Sequence, residues 1–114
     1  MKKLLILIVL LGFGTVKAQI SDVRVEGSNI NVYDENDKRI MYLTSGSSAE
    51  LLGFSSKFFV ILENGYIKTY DENCKNLGYI SAATNKFISA TGSTFIVENS
   101  SGYRDKYDMY CKRK

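Results

Sequence analysis

Apolar and polar residues alternate along much of the chain with a period of two. Val23 and Val25 alternate with Arg24 and Glu26, and Ile30 and Val32 flank Asn31. Such alternation reads as half-buried strand, because successive side chains of a strand point to opposite faces. Ile40, Tyr42 and Thr44 mark a third short strand. The middle of the chain carries the fullest set: Ala49 to Phe54, Lys57 to Glu63, Tyr66 to Tyr70 and Leu77 to Ala82. Lys86 to Ala90, Thr94 to Glu98, Gly102 to Tyr107 and a stub at Met109 to Cys111 follow. Between two of these runs, Asn64-Gly65 predicts a two-residue type I′ turn, whose central residues both need positive φ. No stretch past residue 19 carries a helical apolar stripe. The pattern therefore predicts an all-β antiparallel meander of about ten strands.

The meander is periodic. Tyr-Asp occurs at 33–34, 70–71 and 107–108, a spacing of 37 residues each time. Ile30, Tyr33, Asp34, Glu35, Asn36, Lys38 and Tyr42 recur as Ile67, Tyr70, Asp71, Glu72, Asn73, Lys75 and Tyr79. Gly65, Tyr66, Tyr70, Asp71, Cys74 and Lys75 recur as Gly102, Tyr103, Tyr107, Asp108, Cys111 and Lys112. Without gaps, Ser56, Phe58 and Val60 also align with Ser93, Phe95 and Val97. A fixed period of this length is the mark of a repeat architecture. Units of approximately 20–48, 49–85 and 86–114 divide a single β-repeat domain over 19–114.

The stretch Phe58 to Lys75, FFVILENGYIKTYDENCK, resembles the middle hairpin of the blades in exported bacterial β-propeller-like repeat proteins. The resemblance implies blade-like units and a partial propeller, with a small barrel, a sandwich or a solenoid as the alternatives. In the acidic turn, where such blades often place glycine, this chain has Asp37, Cys74 and Cys111. Propellers typically close with about 4–8 blades, and three units fall short. Two chains would supply enough units to close a ring as a homodimer. The missing first strand of the first unit and the C-terminal stub are places where a partner chain could add strands.

The N-terminal segment departs from the strand pattern. Lys2 and Lys3 precede an unbroken apolar run from Leu4 to Leu11, and Val16-Lys17-Ala18 places small residues at a cleavage motif. This is the layout of a secretory signal peptide over residues 1–18. The apolar segment is short of the ~20 residues that a membrane helix needs, so no stable span is expected after cleavage. The expected destination is the periplasm, the cell surface or the medium. The whole chain carries 15 bases against 12 acids. Removing Lys2, Lys3 and Lys17 leaves 12 bases and a net charge of zero. The bases at Arg104, Lys106, Lys112, Arg113 and Lys114 then read as a solvated terminus rather than a nucleic-acid site.

The chain has no histidine, tryptophan or proline and only two cysteines. Imidazole acid–base catalysis, a histidine-based triad and a four-thiolate metal site are therefore excluded. Cys74 and Cys111, in an oxidising compartment, admit a disulfide. Their equivalent repeat positions place them at least two strand spacings apart, which admits two free thiols equally. The Asp34-Glu35-Asn36-Asp37 and Asp71-Glu72-Asn73 turns hold oxygens at close spacing, but the acids thin out from copy to copy. That decay reads as Asx-turn chemistry rather than a calcium loop, so no metal or other cofactor is expected. Tyr33, Tyr70 and Tyr107 read as a core layer between units. Tyr66 and Tyr103, beside the Gly turns, read as surface aromatics fit to meet a protein or a glycan.

The sequence thus predicts an exported non-enzymatic module for interaction or structure, with no catalytic residues. One alternative is a carboxylate-based hydrolase of glycan or cell-wall substrates using Glu63 with Glu26 or Glu98. Such an enzyme needs its carboxyls about 5–9 Å apart across a cleft. The other alternative is a truncated propeller fragment with no independent role.

Overall fold

The computed structural model describes residues 19–44 and 49–114. The expected signal peptide over 1–18 lies outside the described residues. Among these residues there are ten strands and no helix, and hence no helix long and apolar enough to cross a membrane. The strands run in chain order as β1 (Asp22–Glu26), β2 (Asn29–Tyr33), β3 (Arg39–Thr44), β4 (Glu50–Phe54), β5 (Phe59–Glu63), β6 (Tyr66–Tyr70), β7 (Asn76–Ser81), β8 (Asn85–Thr91), β9 (Thr94–Asn99) and β10 (Arg104–Asp108). They form three separate antiparallel sheets, β1-β2-β3, β4-β5-β6-β7 and β8-β9-β10, each with its strands in sequence order. No sheet closes on itself. The all-β meander read from the sequence is the observed fold, and the barrel is not formed.

The sheets stack face to face, and the apolar pattern says which one is central. Phe58, Phe59, Val60 and Ile61 are all fully buried. A strand buried on both faces needs a continuous apolar run rather than alternation, and Phe58 to Ile61, leading into β5, is such a run, buried throughout. Phe59 and Ile61 point to the first sheet, where they meet Val23, Ile30 and Val32. Val60 and Ile67 point the other way and meet Phe95 and Val97 of the third sheet. Each residue fully buried in this way contributes about 1.5–3 kcal/mol. Hydrogen bonds fasten the stack: the Ile20 amide donates to the Ser56 carbonyl at 2.9 Å, and the Ser55 hydroxyl to the Gly92 carbonyl at 2.6 Å.

Register irregularities and aromatic contacts recur along the chain at similar spacings. In both β2–β3 and β6–β7 the register slips just before the repeated tyrosine, at Val32/Tyr33 and Thr69/Tyr70. Across β4–β5 it slips between Leu51 and Gly53, and across β8–β9 between Phe87 and Ser89, an offset of 36 rather than 37. Phe59 stacks on Tyr70 at 5.5 Å, and Phe95 stacks on Tyr107 at 5.6 Å. Phe95 is thus the counterpart of Phe59, not of Phe58 as the ungapped alignment has it. The missing residue returns in the β9–β10 loop. Glu63 pairs directly with Tyr66 around a two-residue turn, whereas Asn99 bonds Tyr103 around Ser100-Ser101-Gly102.

The turns follow their local chemistry. Asn64 and Gly65 both have positive φ, at 54° and 83°, as a type I′ turn requires. In the acidic turns, Asp34 Oδ1 accepts the amides of Asn36 and Lys38, both at 2.9 Å. Asp71 accepts those of Asn73 and Lys75, and Asp108 those of Tyr110 and Lys112, at 2.9–3.0 Å. The fourth residue of each turn, Asp37, Cys74 or Cys111, is left-handed at φ 60–64°. The two backbone bonds held by the aspartate offset the ~1 kcal/mol that this conformation costs a residue with a Cβ. Past the last turn the stub is not a strand. Only Arg113 returns to bridge Tyr107.

Candidate functional site

On the central sheet, β6 turns Tyr66, Lys68 and Tyr70 to the face opposite Ile67 and Thr69, because side chains alternate along a strand. Register places Lys68 across from Tyr79 of β7, and Tyr70 across from Asn76. These five residues line an open groove of about 360 Å³. The Tyr66 and Tyr79 rings meet edge to face at 5.3 Å and 76°, a favoured aromatic geometry. Both remain exposed, at 44% and 62%.

The groove floor is polar and electrically balanced. Lys68 Nζ lies 3.1 Å from Glu63 Oε1, in a pair whose side chains are only 24% and 18% exposed. That hydrogen bond, donated by Lys68 to the Glu63 carboxylate, raises the Lys68 pKa and keeps the ammonium charged. Burial raises the Tyr70 pKa, so its phenol keeps its proton. Asn76 Nδ2 donates to the carbonyls of Thr69 at 3.2 Å and Gly78 at 3.3 Å. With both of its N–H groups engaged, the amide oxygen is the part of Asn76 left to accept a bond.

The other sequence candidates fall elsewhere. Tyr103 is 72% exposed beside the β9–β10 turn of the third sheet and does not line this groove. Tyr70 and Tyr107 do pack between sheets. Tyr33 does not. With Asp22 in place of Phe59's ring, Tyr33 instead lies under the Arg24 guanidinium at 4.0 Å and donates to Glu26 at 2.6 Å. The Tyr33 hydroxyl and then the Asn31 amide hold the Glu26 carboxyl below its ordinary range.

The disulfide admitted by the sequence is not formed. Both cysteines are free. Cys74 packs into the cluster between the first and central sheets, and Cys111 into that between the central and third. The central sheet stands between them. Burial, followed by the Asp71 charge, pushes the Cys74 thiol up to about 11. Cys111 is raised chiefly by burial.

Nor do the three glutamates converge. Glu26 is on the outward face of the first sheet, Glu63 pairs with Lys68 on the central one, and Glu98 lines a separate opening of about 190 Å³ with Lys86 and Asn99. Among the described residues no cluster of three or more acids or thiols could hold a metal.

Tyr79, Lys68 and Asn76 escaped selection from sequence. The repeat flagged Tyr79 only as a partner of Tyr42, and the register that faces it to Lys68 depends on the slip at Thr69/Tyr70. Comparison with protein-family models, with curated proteins and with solved structures returns no match.

Proposed function

We propose that this protein is an exported, non-enzymatic β-repeat module that works by binding through the groove at Tyr66 and Tyr79. The observation that carries this reading is the groove itself. Two exposed tyrosines stand edge to face over a neutralised ion pair, on the sheet that both neighbours brace. Exposed large aromatics with a few converging polar groups are the usual makings of a binding site. Export rests on the N-terminal segment, with its lysine pair, apolar run and small-residue cleavage motif. The hydrolase alternative has less support, since Glu26, Glu63 and Glu98 belong to three different sheets.

The test is retention of the purified protein by cell-envelope preparations of the producing cells. Saturable retention is expected, weakened about tenfold or more by Tyr66→Ala combined with Tyr79→Ala. Tyr110→Ala, also at an exposed aromatic, should leave it unchanged, and Tyr103→Ala measures whether that ring contributes. Thermal melts of each variant control for folding. No retention, or retention indifferent to the double substitution, would sink the proposal.

A further inference from the structure

The geometry points to a neutral saccharide chain as the ligand of the β6–β7 groove. This inference rests on the reading of that groove as a binding site and goes on to name its occupant. A sugar ring presents one flank of C–H groups and a rim of hydroxyls that both donate and accept. The groove has counterparts for both. Tyr66 and Tyr79 supply flat apolar surface that is already exposed and braced ring against ring. Resting against each other, the two rings need less ordering on binding than two separate surface rings would.

The polar groups alternate in kind around the floor. Lys68 offers N–H donors and Asn76 an acceptor oxygen, because its own N–H groups are held by Thr69 and Gly78. The Tyr70 phenol can act as either. Hydroxyls can satisfy such a mixed set, whereas a carboxylate or phosphate would meet acceptors it cannot use.

Charge disfavours ionic ligands. Lys68 is already neutralised by Glu63 at 3.1 Å, so an anion would meet the Glu63 carboxylate beside the ammonium and a cation would face the ammonium itself. An uncharged ligand leaves the pair intact. The volume of about 360 Å³ lies at the small end of ligand sites, which run from about 300 to 1,000 Å³. The groove is also open, as suits one or two units of a chain that continues past it on both sides.

The experiment titrates isotope-labelled protein, followed by nuclear magnetic resonance, with defined neutral oligosaccharides. The probes are hexamers of β-1,4-linked glucose, β-1,4-linked N-acetylglucosamine and α-1,4-linked glucose. An oligogalacturonate serves as the acidic comparison, and an unstructured neutral peptide as the protein-like one. At least one neutral hexamer should give saturable shifts centred on Tyr66, Lys68, Asn76 and Tyr79. Its affinity should be insensitive to salt and fall about tenfold or more in Tyr79→Ala. Lys68→Met should weaken it while the melting transition remains cooperative.

Three results would overturn the inference: no response to any neutral hexamer, shifts centred away from the groove, or preference for the oligogalacturonate or the peptide. If the saccharides fail while envelope retention still depends on Tyr66 and Tyr79, the ligand class is wrong and the binding site stands. If retention is also indifferent to those rings, both readings fall.

Discussion

The hydroxyl of Thr69 donates to the carbonyl of Met109 at 2.7 Å, forty residues along the chain. Thr69 is fully buried, and its repeat counterpart in the first sheet is the apolar Val32. The threonine is polar because the segment after β10 folds back over the central sheet and brings a carbonyl that needs a donor. Thr69→Val keeps the shape and leaves that carbonyl unmatched. The expected cost is about 1–3 kcal/mol, read from the urea midpoint. Hydrogen exchange should also lose protection at Cys111 and Lys112 before the sheets. An unchanged midpoint with full protection would mean that the bond does not hold this segment.

Gly78, on the neighbouring strand, tests the same docking by a steric route. A Cβ there would lie 2.5 Å from the Tyr110 carbonyl oxygen and 2.9 Å from its carbon. Backbone cannot yield as a side-chain tip can, so Gly78→Ala should drive the C-terminal segment off β7. Stability should fall by about 1–3 kcal/mol, the range seen for overpacked sites. Truncating the chain before Met109 should remove most of the difference between the wild type and the Gly78→Ala variant. If the alanine is tolerated in the intact chain, the close approach is not a feature of the folded state.

The acidic turns make a prediction about chemistry rather than packing. Asp71 Oδ1 accepts two backbone amides at 2.9 Å. Asn99 does the same in the β9–β10 loop, accepting Ser101 N at 2.9 Å and Tyr103 N at 3.1 Å, with Gly102 left-handed at φ 86°. An amide oxygen therefore serves as well as a carboxylate. Asp71→Asn should be nearly neutral, whereas Asp71→Ala should cost about 1–2 kcal/mol. Calcium or a chelator should leave the melting temperature of all three proteins where it was. A calcium-dependent rise lost in Asp71→Asn would restore the ion-binding reading.

Much of this was legible in the sequence because strand period and turn chemistry are local. The alternation at Val23 and Val25, the Asn64-Gly65 turn and the Asp34, Asp71 and Asp108 turns needed only neighbouring residues. The continuous run at Phe58 to Ile61 also carries the information that the central strand is covered on both faces. Register did not come through. Phe58 and Phe59 are identical in kind, so residue identity could not reveal that the ungapped alignment matches Phe95 to the wrong one of the two. The groove suffered for the same reason. Tyr79 reaches Lys68 only through a register slip, and residue identity alone does not record one.

The two thiols give the fold a pH dependence of definite sign. The Cys74 pKa is raised by burial, then by Asp71, to about 11, and that of Cys111 is raised chiefly by burial. A group that binds its proton more tightly when folded adds stability below its unfolded pKa, and that stability is lost as pH climbs through the folded one. Stability should therefore decline from pH about 9 to about 11. Lys68, raised by Glu63, adds to the decline at the upper end. Cys74→Ala should flatten the lower part of the curve in a series of urea melts. Thiol titration should find two free thiols in denaturant, both slow to react in the native protein near neutral pH. A mass consistent with a bridge, or a flat wild-type profile, would count against this.

The stack ends in polar faces on both sides, and this bears on association. At the central sheet, Phe59 and Ile61 face one neighbour, and Val60 and Ile67 the other. On the outward side of the first sheet, the places of Phe59 and Ile61 are taken by Asp22 and Arg24. Arg24 is bonded to Asp22 at 2.7 Å and also to Asp37. On the outward side of the third sheet, Glu98 and Arg104 pair across β9–β10 where the central sheet has Leu62 and Ile67. A ring closed by two chains would have to bury both sets of charges against each other, and buried ion pairs seldom repay their desolvation. Repeat stacks need such polar outer faces to remain soluble. Light scattering on the purified protein should therefore give a monomer mass. Restoring the central-sheet residues, with Glu98→Leu and Arg104→Ile together, should expose an apolar face and drive self-association. A stable wild-type dimer disrupted by Arg24→Glu would show that these charged faces meet each other rather than water.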